Sequence, residues 1–234
     1  MRLLVTRPRA EAEHTALELA KRGHDALIAP MLSIEPVKTD FNPASFDAIV
    51  ITSGNAVRSL VQSALQNSLV RPVLAVGSQT AQAARDAGFL DVVSADGDAA
   101  DLVSLIRSRW NKGRARLLYL AGNDRSRDLA ADLVKDGIHI ETVIVYSANA
   151  AARLPDGAQQ ALKQGTIGGV LHYSRRSTAT FLECADADGL DVSPLRHYCL
   201  SQRAAEPLSA RGFKIIQIAP RPDEAALLNL IAAG

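Results

Sequence analysis

At 234 residues and 47% hydrophobic content, the chain is long enough for one large domain or two small ones with a proper apolar core. A formal net charge of +1 excludes a global electrostatic drive toward nucleic acid or an acidic membrane surface, while leaving room for a small anion held locally. Cys184 and Cys199 share no CxxC or histidine spacing and read as unpaired thiols, and Arg2, Arg7 and Arg9 break the N-terminal apolar run. No apolar stretch approaches the ~18–20 residues of a spanning helix. These features predict a cytoplasmic protein with no metal site, no membrane and no nucleic-acid partner.

In chain order, short apolar runs alternate with helical patterns. Leu3–Thr6 predicts a strand and residues 9–22 a helix that stops at Gly23; Asp25–Ala29 is the next strand, closed by Pro30. The proline-containing polar stretch 31–43 reads as a crossing between two lobes. From Phe46 the alternation resumes with strand 48–52, a helix from about Asn55, strand 73–76, helix 80–87 closed by Gly88, strand 91–93 and helix 99–110. Strand 116–121, helix 125–135, Gly137 and strand 139–145 follow, and 146–154 reads as a second crossing. The last stretch predicts strand 167–171, helix 178–185, strand 196–200, helix 204–211, strand 214–218 and helix 223–232. Nearly continuous apolar strands alternating with helices imply parallel sheets covered on both faces, an α/β fold.

The chain also reads as written twice. Arg2-Leu3-Leu4 falls on Arg116-Leu117-Leu118 and Gly23 on Gly137, at an offset of 114 (2 + 114 = 116). Residues 48–53 fall on 169–174 at 121, Gly88-Phe89 on Gly212-Phe213 at 124, and residues 100–103 on 225–228 at 125. A slow drift of the offset is what loop insertions produce. Two similar units in one chain favour two facing lobes with a ligand crevice between them.

In open parallel sheets ligands gather beyond the carboxyl ends of the strands. The segments there are Thr6-Arg7-Pro8, Thr52-Ser53-Gly54-Asn55, Gly77-Ser78-Gln79-Thr80, Gly122-Asn123-Asp124-Arg125, Ser174-Arg175-Arg176-Ser177 and Ser201-Gln202-Arg203. Each supplies a hydroxyl or amide where a helix begins. Any one of them is explained by N-capping alone. Together, several helix N-termini offer free N–H groups and positive dipole ends to carboxylates or phosphates, and Arg7, Arg125, Arg175, Arg176 and Arg203 add charge at the same ends.

Other constellations are missing. There is no G-x-G-x-x-G, P-loop, HExxH or G-x-S-x-G. Of the five histidines, only His172, which ends a strand beside Tyr173, is a functional candidate. Tyr146 ends the apolar run Thr142-Val143-Ile144-Val145 and opens the second crossing, where a phenol could give or take a hydrogen bond to a ligand or simply pack under the hinge.

The order Thr6-Arg7-Pro8, Ile51-Thr52-Ser53-Gly54-Asn55-Ala56-Val57, Ala75-Val76-Gly77-Ser78-Gln79-Thr80-Ala81 and Val143-Ile144-Val145-Tyr146 resembles uroporphyrinogen-III synthase along the whole chain. The resemblance implies two flavodoxin-like lobes with parallel sheets, joined by two crossing strands with a cleft between the lobes. Lobe 1 would take residues 1–35 and 168–234, lobe 2 residues 36–152, and 153–167 would return the chain to lobe 1. The implied reaction, without cofactor or metal, cyclises hydroxymethylbilane to uroporphyrinogen III. Water is lost and ring D inverts through a spirocyclic intermediate. The resemblance implies a general-acid role for Tyr146, and substrate contacts from Thr6, Arg7, Ser53, Asn55, Ser78, Thr80, Gly122, Asn123, Ser174, Ser177 and Ser201. A transient handover from hydroxymethylbilane synthase would be a sensible partnership.

The second half departs from the family's pattern. Where relatives carry Ser-Pro-Ser, this chain has His172-Tyr173-Ser174-Arg175-Arg176-Ser177. Where they carry Gly-x-Thr-Thr or Gly-x-Thr-Ala, it has Ser201-Gln202-Arg203-Ala204, and the usual Arg-Gly reads Ala121-Gly122-Asn123. Two other readings fit the same features: a non-catalytic two-lobed anion sensor, and an inactive paralogue that keeps the synthase fold.

Overall fold

A computed structural model describes residues 1–60, 62–110, 115–124 and 128–231. The chain divides into two compact units, Met1–Ser33 with Asn149–Gly234 (unit 1) and Ile34–Ala148 (unit 2).

Unit 1 contains strands β1 (Arg2–Val5) and β2 (Asp25–Ile28), separated by helix α1 (Arg9–Ala20). Its sheet is completed from the far end of the chain by β9 (Gly169–His172), β10 (Arg196–Cys199) and β11 (Ile216–Ile218). The order is β11-β10-β9-β1-β2, with every neighbouring pair parallel. Helices α7 (Asp156–Lys163), α8 (Arg175–Ala187), α9 (Gln202–Ala210) and α10 (Glu224–Leu228) belong to the same unit. One face of the sheet is covered by apolar side chains of α7, α8 and α9, among them Ala158, Phe181 and Leu208, and the other by Ala12, Leu19, Leu227 and Leu228 of α1 and α10.

Unit 2 is built from β3 (Leu32–Pro36), β4 (Ala48–Ile51), β5 (Val73–Ala75), β6 (Val92–Ser94), β7 (Arg116–Gly122) and β8 (His139–Ala150), in the order β3-β8-β7-β4-β5-β6. Strands β3 and β8 also carry the chain across the boundary between the units. Its helices are α2 (Gly54–Arg58), α3 (Gln62–Ser68), α4 (Ser78–Asp86), α5 (Ala99–Arg109) and α6 (Leu129–Leu133). All four residues of β4 are fully buried, as a strand covered on both faces requires. Residues Leu102, Val103 and Ile106 of α5 and Leu129 and Leu133 of α6 cover one face; Ala56 and Val57 of α2 and Ala81 and Ala84 of α4 cover the other.

The two sheets repeat one plan. Reading β11-β10-β9-β1-β2 against β6-β5-β4-β7-β8 matches each strand to its counterpart, and β3 is the extra edge of the second sheet. The registers agree to the residue. Arg2 pairs with Asp25 and Arg116 with His139, an offset of 114 at both positions. Leu3 pairs with Gly169 and Leu117 with Ala48, joining the offset of 114 to one of 121. Val73–Val92 and His197–Ile216 differ by 124 at both positions. These are the offsets at which the sequence echoes itself. Gly23 (φ 75°) and Gly137 (φ 72°) occupy equivalent left-handed positions after the helices that follow β1 and β7. Each sheet draws strands from both sequence halves, since β1 and β2 join β9–β11, and β7 and β8 join β4–β6.

Four local expectations change. The return segment 153–167 contains helix α7, which begins after Pro155 and buries Ala158 and Ala161 at helical spacing. Strand β8 does not stop before Tyr146 but runs on to Ala150. The helix read from about Asn55 is two short helices, and a 3-10 turn at Pro43–Ser45 is capped by Asn42 Oδ1, which accepts from the Ala44 N–H. Helix α6 starts late, capped by Asp128, and Arg125 lies outside the described residues.

Candidate functional site

In each sheet the chain order reverses once, between β1 and β9 in unit 1 and between β4 and β7 in unit 2. Such switch points leave a crevice outside the strand carboxyl ends, the usual ligand position in open α/β sheets.

In unit 2 the switch point is flanked by Thr52-Ser53 after β4 and by Gly122-Asn123 at the end of β7. The Thr52 hydroxyl and the Tyr119 phenol share a hydrogen bond of 2.8 Å across the gap, and Tyr119 is buried. Ser53 caps α2, its Oγ accepting from the Asn55 N–H at 3.2 Å, while Asn55 Oδ1 accepts from Arg58 at 2.9 Å. Helix α4 is different. Gly77 stands at its cap position and contributes no side chain, so the exposed Ser78 and half-buried Thr80 sit on a first turn with no side-chain cap.

Tyr146 reaches this rim through an irregularity. Strands β7 and β8 run in parallel register from Arg116↔His139 to Ala121↔Ile144; then Gly122 pairs with Tyr146, so Val145 is an extra residue. Before the shift, side chains alternate: Ile140 and Ile144 pack on the α5/α6 face, Val143 and Val145 on the α2/α4 face. Continued alternation would send Tyr146 to the α5/α6 side. Instead it packs with Val145 on the α2/α4 face, the side on which Ser53, Ser78 and Thr80 open their helices. Bulges re-aim side chains in this way and are uncommon in parallel pairs. Asn123 closes the arrangement: its N–H donates to the Tyr146 carbonyl at 3.1 Å, and its Oδ1 accepts from the Ala148 N–H at 3.4 Å. Thus Gly122, Asn123 and Tyr146, expected separately, are neighbours.

The rim of unit 1 is more internally committed. Thr6 is fully buried and its hydroxyl donates to the Leu171 carbonyl at 2.7 Å, tying β1 to β9 across the switch point. Arg7, expected to meet a substrate carboxylate, donates to Glu224 Oε1 at 2.9 Å and to Thr15 at 3.3 Å, with its guanidinium over the Tyr173 ring at 4.2 Å from the centroid. Burial raises the Tyr173 phenol well above its ordinary range; the Arg7 charge opposes that shift. Ser174 caps α8, and Ser177, almost wholly buried, is its internal partner: the Ser177 N–H donates to Ser174 Oγ at 3.1 Å and the Ser177 hydroxyl to the Ser174 carbonyl at 3.1 Å. Ser201 caps α9 through the Ala204 N–H at 3.3 Å. Arg175 pairs with Glu206 at 3.2 Å, and Arg203 is exposed. Residue order carries no sign of the Arg7–Glu224 pair, because Glu224 lies 217 residues from Arg7.

The position of His172 corrects its candidacy. It is fully buried against Phe181 and His197, 3.0 Å from His197 Nδ1 through Nε2, and His197 in turn meets the Phe213 ring edge-on. The tautomers follow from the far end of the chain of bonds. The Val192 carbonyl can only accept, so His197 Nε2 carries a proton; His197 Nδ1 then accepts from His172 Nε2, and His172 Nδ1 is left bare, without a partner. Burial lowers both pKa values, that of His172 well below the ordinary 6.5, and the nearness of a second imidazole adds to the penalty on charging it. A neutral, enclosed pair is a core feature.

Among the described residues no group of three or more His, Cys, Asp or Glu could hold a metal ion, and no helix is long and apolar enough to cross a membrane.

The fold and rim together define a class: a two-unit α/β protein with open, mostly parallel sheets, strand ends lined by helix N-termini, and one tyrosine re-aimed by a bulge. The chain belongs to the uroporphyrinogen-III synthase family, whose family model, described as uroporphyrinogen-III synthase HemD, matches residues 13–229. This is a family of lyases in porphyrin and haem biosynthesis. Among solved structures the chain is similar to uroporphyrinogen-III synthetase from Helicobacter pylori, with 21% identity, a TM-score of 0.67 and 98% of both chains covered. It is also similar to a mutant uroporphyrinogen III synthase from Thermus thermophilus, with 18% identity, a TM-score of 0.53, and 98% of this chain and 97% of that one covered. At these identities the likeness speaks for the fold. No curated protein matches in sequence.

Proposed function

We propose that this protein converts hydroxymethylbilane to uroporphyrinogen III in the cytoplasm, with loss of water and inversion of ring D, without a cofactor, and receives its unstable substrate by handover from hydroxymethylbilane synthase. The observation that carries the reading is the placement of Tyr146 on the α2/α4 face at the switch point of unit 2. Family membership supplies the reaction class. The phenol donates its proton to the departing terminal hydroxyl as the pyrrole nitrogen pushes electrons out, giving water and an azafulvene cation. Attack on ring D forms the spirocycle; its cleavage and reclosure invert the ring, and the proton lost as the last pyrrole regains aromaticity returns to the phenolate. Atoms balance as substrate to product plus one water.

Around this step the rim's work is binding. Ser53 and Asn55 at α2 and the uncapped first turn of α4 with Ser78 and Thr80 offer hydroxyls, amides and helix-dipole charge to carboxylates. Asn123 stands beside the tyrosine, and Ser174 and Ser201 open the corresponding helices of unit 1. Thr6, Gly122 and Ser177 serve by shaping the strand and helix ends. Holding ring D so that inverted closure outruns simple closure is catalysis by orientation.

The test is incubation with freshly generated hydroxymethylbilane, oxidation, and separation of uroporphyrin isomers I and III. Isomer III should dominate without added cofactor or metal, and Tyr146→Phe should lower kcat by about tenfold or more. Only isomer I at the spontaneous rate, from folded protein, points instead to a non-catalytic binding protein. Unchanged turnover in Tyr146→Phe removes the phenol from the mechanism.

A further inference from the structure

Gly122 is the register partner of Tyr146 at the bulge. A Cβ built on Gly122 would lie 2.6 Å from Tyr146 Cζ, 2.7 Å from Cε2 and 2.9 Å from the phenol oxygen. All three distances are shorter than real Cβ contacts, so any side chain at 122 must displace the reacting end of the ring. The glycine is not there for its backbone, since Gly122 is absent from the left-handed positions that Gly23, Gly88 and Gly137 occupy. The backbone here does not exclude a side chain, but a Cβ at 122 would not leave the phenol where it is. The ring of Tyr146 is half-buried, so it can move when pushed while the strand stays in place.

We infer that Gly122 is a positioning residue that sets the location of the Tyr146 phenol, and that the bulge with Asn123 holds that setting. The inference rests on the acid role proposed for Tyr146. Three features converge on one atom. The extra residue Val145 turns Tyr146 to the α2/α4 face. The missing side chain at 122 lets the ring lie directly on the β7 backbone. The two Asn123 bonds, to the Tyr146 carbonyl and from the Ala148 N–H, fix the backbone on both sides of the ring. A ring covering a cross-strand glycine can also serve stability alone, and that purely structural role makes a different prediction.

The experiment compares Gly122→Ala, Tyr146→Phe and the double variant in thermal stability, kcat and KM, and follows Tyr146 ring signals by NMR in ring-13C-tyrosine protein. The chain has four tyrosines, so the Tyr146 signals are the ones lost in Tyr146→Phe. Expected for Gly122→Ala are shifted Tyr146 signals, a kcat lowered about tenfold with KM within about twofold, and no further loss when added to Tyr146→Phe. Folded Gly122→Ala protein with unmoved signals overturns the inference whatever its activity. So does an equal kcat loss in the Tyr146→Phe background, or moved signals with wild-type kcat while Tyr146→Phe is impaired. If Tyr146→Phe itself turns over normally, the acid role fails, and the NMR arm then shows separately whether Gly122 places the ring. Should Gly122→Ala not fold, Asn123→Ala, at an exposed position, carries the same measurements: moved signals with a lowered kcat support the inference, and an unmoved ring overturns it.

Discussion

At the residue scale, polar groups divide into those turned inward and those left at the rim. Arg7 is the clearest inward case. A guanidinium beside a strand end reads as an anion contact, yet its ion pair with Glu224 has side chains only 13% and 9% exposed, and aromatic stacking on Tyr173 completes the enclosure. This cluster ties the turn after β1 to α1 and α10, so it shapes the rim of unit 1 from beneath. The histidines carry a prediction for acid conditions. His24, His172 and His197 all have folded pKa values lowered by burial. Below their ordinary value of about 6.5 the unfolded chain therefore takes up protons that the folded chain refuses. Their contribution to stability is complete above that pH and declines as pH falls through it, down to the lowered folded values. The urea midpoint should accordingly be lower at pH 5.5 than at pH 7.5, with proton uptake on unfolding near pH 6. An equal or higher midpoint at pH 5.5 contradicts the neutral assignment.

At the element scale, the rim of unit 2 depends on how closely α2 and α4 approach. Gly54 opens α2, and a Cβ there would lie 2.8 Å from the Ala83 Cβ of α4 and 2.9 Å from the Arg58 guanidinium. Arg58 can swing away; Ala83 is part of a helix backbone and cannot. Gly54→Ala must therefore push the two helices apart, a form of overpacking that costs about 1–3 kcal/mol. Because the same N-termini present Ser53, Asn55, Ser78 and Thr80, the substitution should also raise KM more than it lowers kcat. Chemical denaturation and steady-state kinetics on one preparation check both halves. A variant as stable as the parent would show that α2 and α4 tolerate separation. Helix α5 is set by local chemistry: Asp98 and Asp101 form a reciprocal capping box at its start.

At the scale of the whole molecule, the units differ in how they are assembled from the chain. Unit 2 is nearly continuous: its six strands and both of its apolar clusters lie within residues 32–150. Unit 1 is not, because β1 lies between β9 and β2 and comes from the first residues of the chain. Residues 32–150 expressed alone should fold and melt cooperatively by circular dichroism. Residues 149–234 alone should not, since β9 would lose a full ladder and Leu3, Val5 and Leu19 would be missing from one cluster. Cooperative melting of the 149–234 fragment would refute this division of labour.

The chain by itself determined whatever depends on neighbours a few positions away. Apolar runs of strand length, capping residues at Ser53, Ser174 and Ser201, and helix ends at Gly23 and Gly137 are set by backbone propensity and capping and read directly from residue order, although the helices placed at 178–185 and 204–211 in the sequence begin at Arg175 and Gln202. The repeat was legible as well, because equal registers in two sheets leave equal offsets in the sequence. Only the tertiary structure decided what depends on distant partners. Thr6 meets Leu171 across 165 residues and Arg7 meets Glu224 across 217, so a hydroxyl and a guanidinium that look free in the sequence are already bonded. His172 lost its candidacy through the aromatic shell around it. Tyr146 gained its neighbours through one extra residue in β8, and strand periodicity carries no sign of such a shift, because a register belongs to a pair of strands and never to one.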